Sequence, residues 1–275
     1  MRMIVAAGMI LAAIAGCGKK SDELTLKGSD TMLHVGEAWT EQFKKDHPEI
    51  RMSVTGGGSG TGISAIINGH TQIAMSSRYA EPNEIQAAVK LGKALKEFEV
   101  GKDGIAVIVS RNNPVYELTL DQLRKIFTGA VTNWKQVGGQ DREIIIYSRD
   151  TSSGSYVFFR EHVLAKKEFA KAALRMASTA VLVESVAGNE AAIGYSGLAY
   201  AQDANVRILA VKAVPEAEAV TPTFETIRDG SYAIGRPLLL YTLGEPQGRA
   251  KTFIDFTLSD KGQRILKEIG YVPVR

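Results

Sequence analysis

The sequence predicts an α/β protein built from two lobes. Strands and helices alternate along the 275 residues, as they do in parallel sheets with crossover helices. Two long apolar strands, near 104–110 and 234–242, divide this pattern into two blocks and are the natural crossings between them. We therefore predict that 22–103 and 236–275 form lobe I and that 104–235 forms lobe II. Two crossings predict a hinge, and open α/β sheets bind ligands at their strand ends.

The first block reads as strand, helix, strand, helix, strand. Alternation of polar and apolar residues indicates the strands, and proline or Asn-Gly marks the helix ends. The predicted elements are a strand at 23–29, a helix opened by Asp30 and Thr31 that ends before Pro48, a strand at 50–56, a helix at 62–68 closed by Asn68-Gly69, a strand at 71–77 and a helix that begins at Pro82.

The second block repeats the alternation and ends in two helices. Its predicted elements are a strand at 104–114, a helix, turn and short helix over 119–139, a strand at 142–150 followed by a turn and a helix, a helix and a strand within 179–201, a strand at 232–242 and a terminal helix pair. Trp134 belongs to this block, and we expect it to pack in the core rather than contact a ligand.

The composition is that of an ordinary soluble globular protein, with 45% hydrophobic and 23% charged residues. The net charge of +3 is small and its Lys and Arg residues are scattered, which argues against a nucleic-acid partner. The four histidines are isolated, and no HExxH or CxxC motif occurs. The sequence therefore predicts no metal site and no cofactor.

The first residues predict export. Arg2 precedes an apolar stretch that is too short to span a membrane and fits a secretory signal. The stretch ends in "IAGC" at 14–17, which resembles a bacterial lipoprotein box. We predict a lipoprotein signal peptide at 1–16, acylation of Cys17 and a lipidated tether at 17–23 that holds the protein on the periplasmic or extracellular face of the membrane. A plain signal peptide or a buried N-terminal helix is the alternative. Cys17 is the one cysteine, which excludes an internal disulfide.

Three predicted strands end in turns rich in glycine and hydroxyl side chains, and a helix follows each turn. The first helical turn has unpaired N–H groups and a partial positive charge. Glycine lets a ligand approach the backbone, and hydroxyls add donors. The turn residues are Thr31 after 23–29, Ser59, Gly60 and Thr61 after 50–56, and Ser153, Gly154 and Ser155 after 142–149. Converging turns of this kind would bind a small tetrahedral anion, and Arg149 would add a forked donor suited to oxyanions.

Each feature also has a simpler interpretation. Ser59 and Thr31 could cap helices, Arg149 could form a surface salt bridge, and the glycines could make a flexible turn. The recurrence of the turn favours the anion site. Nucleotide loops are excluded, because 56–62 lacks both the lysine of a P-loop and the spacing of a dinucleotide fingerprint.

Seven stretches, in family order, resemble the phosphate-binding proteins of bacterial ABC-type phosphate importers, which are class II periplasmic binding proteins. These stretches are "KGSDTM", "TGGGSGTG", "IAMSSR", "LTLDQLRKIFTGAVTNWKQVGG", "SRDTSSGSYVFF", "NEAAIGYSGLAYA" and "SYAIGRPLLLYT". The resemblance covers nearly the whole chain after the signal segment. It implies a monomeric, two-lobed binder that buries dehydrated phosphate between its lobes and docks on an ABC permease.

The resemblance also implies roles for particular residues. Thr31 would donate its hydroxyl and Met32 its backbone N–H. Ser59 would donate from the glycine turn, and Arg149 would pair with phosphate oxygens. The other residues assigned to the phosphate site are Gly60, Ser77, Arg78, Ser153, Gly154 and Ser155.

The chain departs from the family pattern in two places. Many members carry Asp where Ser77 stands, and that carboxylate accepts a hydrogen bond from protonated phosphate and repels fully ionised sulfate. Members often carry Asp two residues after the arginine, where this chain has Thr151. Arg78 either lines the site or pairs with a neighbouring carboxylate.

The sequence thus predicts an extracytoplasmic solute-binding lipoprotein that captures inorganic phosphate for ABC-transporter uptake. A binder of sulfate, molybdate or arsenate, or a phosphate-sensing or interaction lipoprotein, is the alternative. A phosphatase is not predicted, since no base can be named for any serine and "GGSGT" at 57–61 lacks the final glycine of a nucleophile elbow.

Overall fold

The computed structural model describes residues 23–274. The predicted signal peptide, Cys17 and the tether up to residue 22 lie outside the described residues. Within 23–274, no helix combines the length and the apolar character needed to cross a bilayer.

Strands and helices alternate throughout the described range. The strands are β1 (Glu23–Gly28), β2 (Arg51–Thr55), β3 (Ile73–Ser76), β4 (Leu95–Ser110), β5 (Glu117–Thr119), β6 (Ile145–Arg149), β7 (Leu174–Met176), β8 (Ala192–Gly197), β9 (Val206–Ile208), β10 (Ala210–Lys212) and β11 (Gly235–Leu243). The α-helices are α1 (Leu33–Asp46), α2 (Ser59–Ile67), α3 (Pro82–Lys90), α4 (Leu120–Phe127), α5 (Gly154–His162), α6 (Thr179–Ala187), α7 (Leu198–Ala201), α8 (Phe224–Arg228), α9 (Gly248–Thr257) and α10 (Asp260–Glu268). Short 3₁₀ turns lie at Asp30–Met32 and Trp134–Val137.

One mixed sheet runs through the molecule in the order β2-β1-β3-β11-β4-β8-β6-β7, with β9 also paired to β4. At one end β1 is parallel to β2 and β3, and at the other β6 is parallel to β7 and β8. The antiparallel ribbon of β4 and β11 joins the two parallel parts. The α/β fold predicted from the alternation is confirmed.

The strand β4 changes partners along its length. Its residues 95–104 pair with β11, and from Ile105 onward it pairs with β8 and β9. The last cross-strand pairs before the change are Asp103 with Arg236 and Gly104 with Gly235. The two predicted crossings therefore lie side by side, with a charged pair at the point of the partner change.

Separate apolar cores lie on the two sides of this point. One core contains buried residues from 105 to 234 together with Val272, and the others contain residues from 24 to 100 and from 238 to 271. Trp134 lies in the first core, is 1% exposed and donates its indole N–H to the Ala191 carbonyl at 2.9 Å. The prediction that Trp134 packs in the core is confirmed.

Several boundaries differ from the predicted ones. Helix α2 begins at Ser59, not at 62, because Gly58 takes a φ of +95° and acts as the N-cap; the low helix propensity of glycine hid this start. Strand β4 begins at Leu95 and ends at Ser110, not at 104 and 114. Its first half alternates charged and apolar residues because only one face is covered. The short elements β5, β7, β9, β10, α7 and α8 were not predicted.

Candidate functional site

The three glycine- and hydroxyl-rich turns meet in one place. The Thr31 hydroxyl oxygen after β1 lies 3.3 Å from the Ser155 hydroxyl oxygen at the start of α5. Gly154 is in close contact with the turn after β2, since a Cβ built on it would lie 2.2 Å from the Ser59 hydroxyl oxygen. The structure thus brings together residues from β1, β2 and β6 that are up to 124 positions apart.

The helices that start here are not capped by their own hydroxyl side chains. Thr119, Ser178, Thr223 and Ser259 accept hydrogen bonds at the starts of α4, α6, α8 and α10. Within 23–274, no side chain does so for α2 or for α5, although Ser153 stands at the N-cap of α5. In α2 the Gly60 N–H is taken by the Ser152 carbonyl at 3.0 Å, whereas no side chain in the described range caps the remaining first-turn N–H groups of either helix, so these groups and the helix dipoles can face an anion.

Ser59 and Thr31 have other partners. The Ser59 hydroxyl accepts a hydrogen bond from the Ser77 backbone N–H at 3.1 Å, and the Thr31 hydroxyl accepts one from Arg236 at 3.1 Å. Helix capping, the simpler interpretation of these two residues, is wrong for both. Both side chains are buried, at 0% and 2% exposure.

The bare backbone of the glycine turn permits close contact with the turn after β6. A Cβ at Gly58 would lie 2.6 Å from the Ser152 carbonyl oxygen. Gly60 donates its N–H to the same oxygen at 3.0 Å. Any side chain at Gly58 would hold the two turns apart, so glycine is needed here for steric reasons as well as for its positive φ.

Arg149 is buried at the end of β6, and its guanidinium has several partners. It donates to Asp30 Oδ2 at 2.6 Å, to the Thr179 hydroxyl at 2.5 Å and to the carbonyls of Met176 and Ala177. These bonds account for four of the five guanidinium N–H groups, and the fifth is on Nη1. The Arg149 charge is thus compensated by Asp30, not by an acid two residues further along.

Ser77 and Arg78 directly follow β3, and their side chains have different partners. The Ser77 hydroxyl lies 3.1 Å from that of Ser29 and 3.5 Å from that of Ser59, and it is 1% exposed. Arg78 instead donates to both carboxylate oxygens of Glu84 at 2.8 Å. Burial would lower the pKa of Arg78, but the hydrogen bond to Glu84 and the nearby charges of Glu84 and Glu81 together outweigh this and raise the pKa. Of the two alternatives for Arg78, the structure contains the pairing with a carboxylate.

Met32 and Ser153 are also buried at the turns. The Met32 N–H donates to the Ser29 carbonyl at 3.1 Å within the 3₁₀ turn, so this group is already engaged. The Ser153 N–H donates to the Asp150 carbonyl at 2.9 Å. Ser153 stands at the N-cap of α5, whose next two residues, Gly154 and Ser155, contact the other turns of the junction.

A second buried ion pair lies at the junction, and it was not predicted from the sequence. Arg236 on β11 contacts Asp103 on β4 with both side chains at 0% exposure. Arg236 also donates to the hydroxyls of Ser155 at 2.8 Å and Thr31 at 3.1 Å. Burial raises the pKa of Asp103, and the charge of Arg236 opposes that rise. A charged residue beside an apolar strand, as in "KDGIAVIV" and "IGRPLLL", was the available signal.

Two tyrosines hold the turn after β1. Tyr200 donates its hydroxyl to the Asp30 carbonyl at 2.8 Å, and Tyr271 donates to the Thr31 carbonyl. Burial raises the pKa of both phenols, so both stay protonated as donors. The turn that carries Thr31 is therefore fixed by contacts from two segments that are distant from it in sequence.

The junction contains buried hydroxyls, uncapped helix starts and arginines paired to carboxylates. In the described part of the chain, no group of three His, Cys, Asp or Glu side chains is arranged to hold a metal ion. Neutral donors in a desolvated site favour an anion whose charge is dispersed over several oxygens.

Several known proteins are similar to this chain in sequence and in fold. The model of a PBP superfamily domain matches residues 14–261. The phosphate-binding protein PstS of Staphylococcus haemolyticus is 36% identical over 253 residues, which cover 90% of this chain and 79% of that protein. The phosphate-binding protein PstS of Bacillus subtilis is 33% identical over 290 residues, which cover 100% of this chain and 93% of that protein.

Solved structures agree with these relatives. A Clostridium perfringens protein solved with bound phosphate has a TM-score of 0.83 and 36% identity, and the match covers 92% of this chain and 100% of that one. An ABC-type phosphate transport receptor from Vibrio cholerae has a TM-score of 0.74 and 31% identity, with 90% and 99% covered. The matched domain, the identities and the coverage lead to one conclusion: this chain belongs to the PstS family of phosphate-binding proteins within the PBP superfamily.

Proposed function

We propose that the protein captures inorganic phosphate at the junction of the three turns and passes it to an ABC permease. The observation that carries this proposal is the meeting of buried hydroxyls with two uncapped helix starts around Ser59 and Gly154. The PstS relatives are named as phosphate-binding proteins, which supports the same ligand. The role is capture and delivery, not catalysis.

The proposed site draws its donors from both lobes. Thr31, Ser59 and Ser77 belong to the segments that we assign to lobe I, and Ser153, Gly154 and Ser155 to those that we assign to lobe II. An anion between them would favour the closed arrangement over an open one, because half of its donors would otherwise be lost. Closure would then present a face for the permease to recognise.

Calorimetric titration of the chain from residue 18 onward tests the ligand. We expect tight 1:1 binding of phosphate, and absence of binding by phosphate would contradict the proposal. Sulfate, arsenate and molybdate form the comparison series. The serine at position 77, which does not repel a fully ionised anion, makes sulfate the competitor of most interest.

We also propose that Cys17 carries the lipid that anchors the protein outside the cytoplasm, as a monomer. Support comes from the "IAGC" stretch and from the absence of any other cysteine. Metabolic labelling with an alkyne fatty acid tests this. Wild type should be labelled and sediment with membranes, whereas Cys17→Ala should not. Equal labelling of both would contradict the anchor.

A further inference from the structure

We propose that Arg236, held by Asp103, is a positioning residue that aims the hydroxyl protons of Thr31 and Ser155 at the bound anion. The proposal rests on the proposed function, because it concerns how that site holds its ligand. It does not require Arg236 to touch the anion.

The guanidinium of Arg236 is fixed from one side. Its Nε and Nη2 donate to Asp103 Oδ2 at 2.9 and 2.7 Å. The other carboxylate oxygen of Asp103 accepts from the Leu198 N–H at 3.1 Å. Gly197 packs closely against the ion pair, since a Cβ there would lie 2.8 Å from Asp103 Oδ2 and 3.4 Å from Arg236 Nη2. The pair is therefore rigid, and the orientation of Arg236 is set by β4 and β8.

The other side of the guanidinium meets two hydroxyls. Nη1 lies 2.8 Å from the Ser155 oxygen and Nη2 lies 3.1 Å from the Thr31 oxygen. An arginine has donors and no acceptor, whereas a hydroxyl has one proton and two lone pairs. Arg236 must therefore donate in both contacts. Neither hydroxyl can direct its own proton back at Arg236.

The two hydroxyl protons then have few remaining directions. The oxygens of Thr31 and Ser155 are 3.3 Å apart, so one can donate to the other, but not both at once. At least one proton is left for a ligand, and an anion at the junction would accept from both. Donation from a cation to each oxygen also polarises the O–H bond and strengthens its own donation.

A consequence for specificity follows from this arrangement. Arg236 occupies one lone pair of each hydroxyl and leaves its proton to be donated, so these hydroxyls favour an oxygen that carries no proton over one that would face that proton donor to donor. A monohydrogen phosphate would thus place its P–OH away from Thr31 and Ser155. The Ser29, Ser59 and Ser77 hydroxyls bond to one another and to backbone but not to an arginine, and their remaining lone pairs can accept a hydrogen bond from that P–OH.

A double-mutant cycle tests the positioning role. The exchange Asp103→Asn with Arg236→Gln removes the guanidinium without leaving a buried charge unpaired. The exchange is made in wild type and in a background lacking the two hydroxyls, Thr31→Val with Ser155→Ala. Phosphate affinity is measured by calorimetry in all four proteins.

We expect the exchange to weaken phosphate binding about tenfold to a hundredfold in wild type, and about twofold or less in the hydroxyl-free background. Equal losses of affinity in both backgrounds would mean that Arg236 stabilises the fold of the site without acting through the two hydroxyls, and would overturn the proposal. Two controls should leave affinity unchanged: Thr40→Val, a buried threonine elsewhere in lobe I, and Arg142→Gln with Glu190→Gln, a surface pair.

The design separates this inference from the proposed function. A wild type that binds no phosphate would overturn both, whereas a wild type that binds phosphate with additive losses would overturn the inference alone. If the double exchange does not fold, as judged by circular dichroism, Arg236→Lys takes its place in the cycle. Lysine keeps the charge beside Asp103 but has one ammonium where arginine reaches both hydroxyls with separate nitrogens.

Discussion

Asp30 Oδ2 lies 2.6 Å from Arg149 Nη2, although the two residues are 119 positions apart. The other oxygen of the same carboxylate accepts the Gly57 N–H at 2.9 Å. Asp30 therefore links the turn after β1 to the turns after β2 and β6. The restraint on Arg149 comes from the segment assigned to the opposite lobe, so it exists only while the turns are together.

Removal of Arg149 should therefore weaken phosphate binding more than it weakens the fold. Arg149→Ala leaves Asp30 without its cation, and loss of one member of a buried pair costs about 3–5 kcal/mol. Opening of the junction would hydrate Asp30 and relieve much of this cost in the free protein. We therefore expect Arg149→Ala to weaken phosphate binding, as measured by calorimetry, and to lower the midpoint of urea unfolding by a smaller amount.

The control keeps the charge balance. Arg149→Gln with Asp30→Asn leaves no unpaired charge, so its unfolding midpoint should be close to that of wild type while its phosphate affinity stays low. An Arg149→Ala protein with an unaltered Kd would exclude Arg149 from the site.

Gly154→Ala should prevent closure without disturbing either core. The new Cβ would lie 2.2 Å from the Ser59 hydroxyl oxygen and 2.7 Å from that of Ser77, both across the junction. Overpacking of this size costs about 1–3 kcal/mol, which corresponds to about tenfold to a hundredfold in phosphate affinity. Calorimetry measures the affinity, and small-angle X-ray scattering with phosphate measures whether the molecule still closes.

Gly188→Ala is the matched control, because Gly188 has a negative φ and its nearest contact for a Cβ is at 3.6 Å. Its phosphate affinity should equal that of wild type. Similar losses in the two variants would show that the contact of Gly154 with Ser59 is not what limits binding.

The sequence predicted the parts of the site that repeat locally. Thr31, Ser59 and Ser153 were found because each follows a strand and precedes a helix, and the structure brings their turns together. The start of α2 was missed by three residues because glycine has low helix propensity, although its positive φ at Gly58 makes the helix start possible. Local pattern thus located the turns but not their detailed geometry.

The ion pairs could not be predicted in this way. Family members often carry an acid two residues after this arginine, but this chain has Thr151 there, and the partner of Arg149 is Asp30. Arg236 and Asp103 are 133 positions apart and meet because β11 and β4 run antiparallel in one register. Such pairs depend on tertiary register, which a single sequence does not specify. A lone charge beside an apolar strand predicts a partner without saying which.

Trp134→Ala should act on stability alone. The indole is 1% exposed, packs in the core of residues 105–234 and donates to the Ala191 carbonyl at 2.9 Å. Loss of a buried tryptophan costs about 3–5 kcal/mol, so the urea midpoint should fall clearly. Protein that remains folded should bind phosphate as wild type does. A large loss of affinity in folded protein would contradict the assignment of Trp134 to the core.

Ser77→Asp should increase the preference for phosphate over sulfate. The Ser77 hydroxyl is 1% exposed and lies within 3.5 Å of the hydroxyls of Ser29 and Ser59. A carboxylate there could accept a hydrogen bond from the P–OH of monohydrogen phosphate, whereas sulfate has no proton to share and would be repelled in a desolvated site. We expect the ratio of the sulfate Kd to the phosphate Kd to rise about tenfold or more, as measured by competition calorimetry. Ser77→Asn, of equal size and without charge, should leave the ratio within about twofold of wild type. If Asn changed the ratio as much as Asp, side-chain size and not charge would control selectivity, and an unchanged ratio in both variants would remove Ser77 from the site.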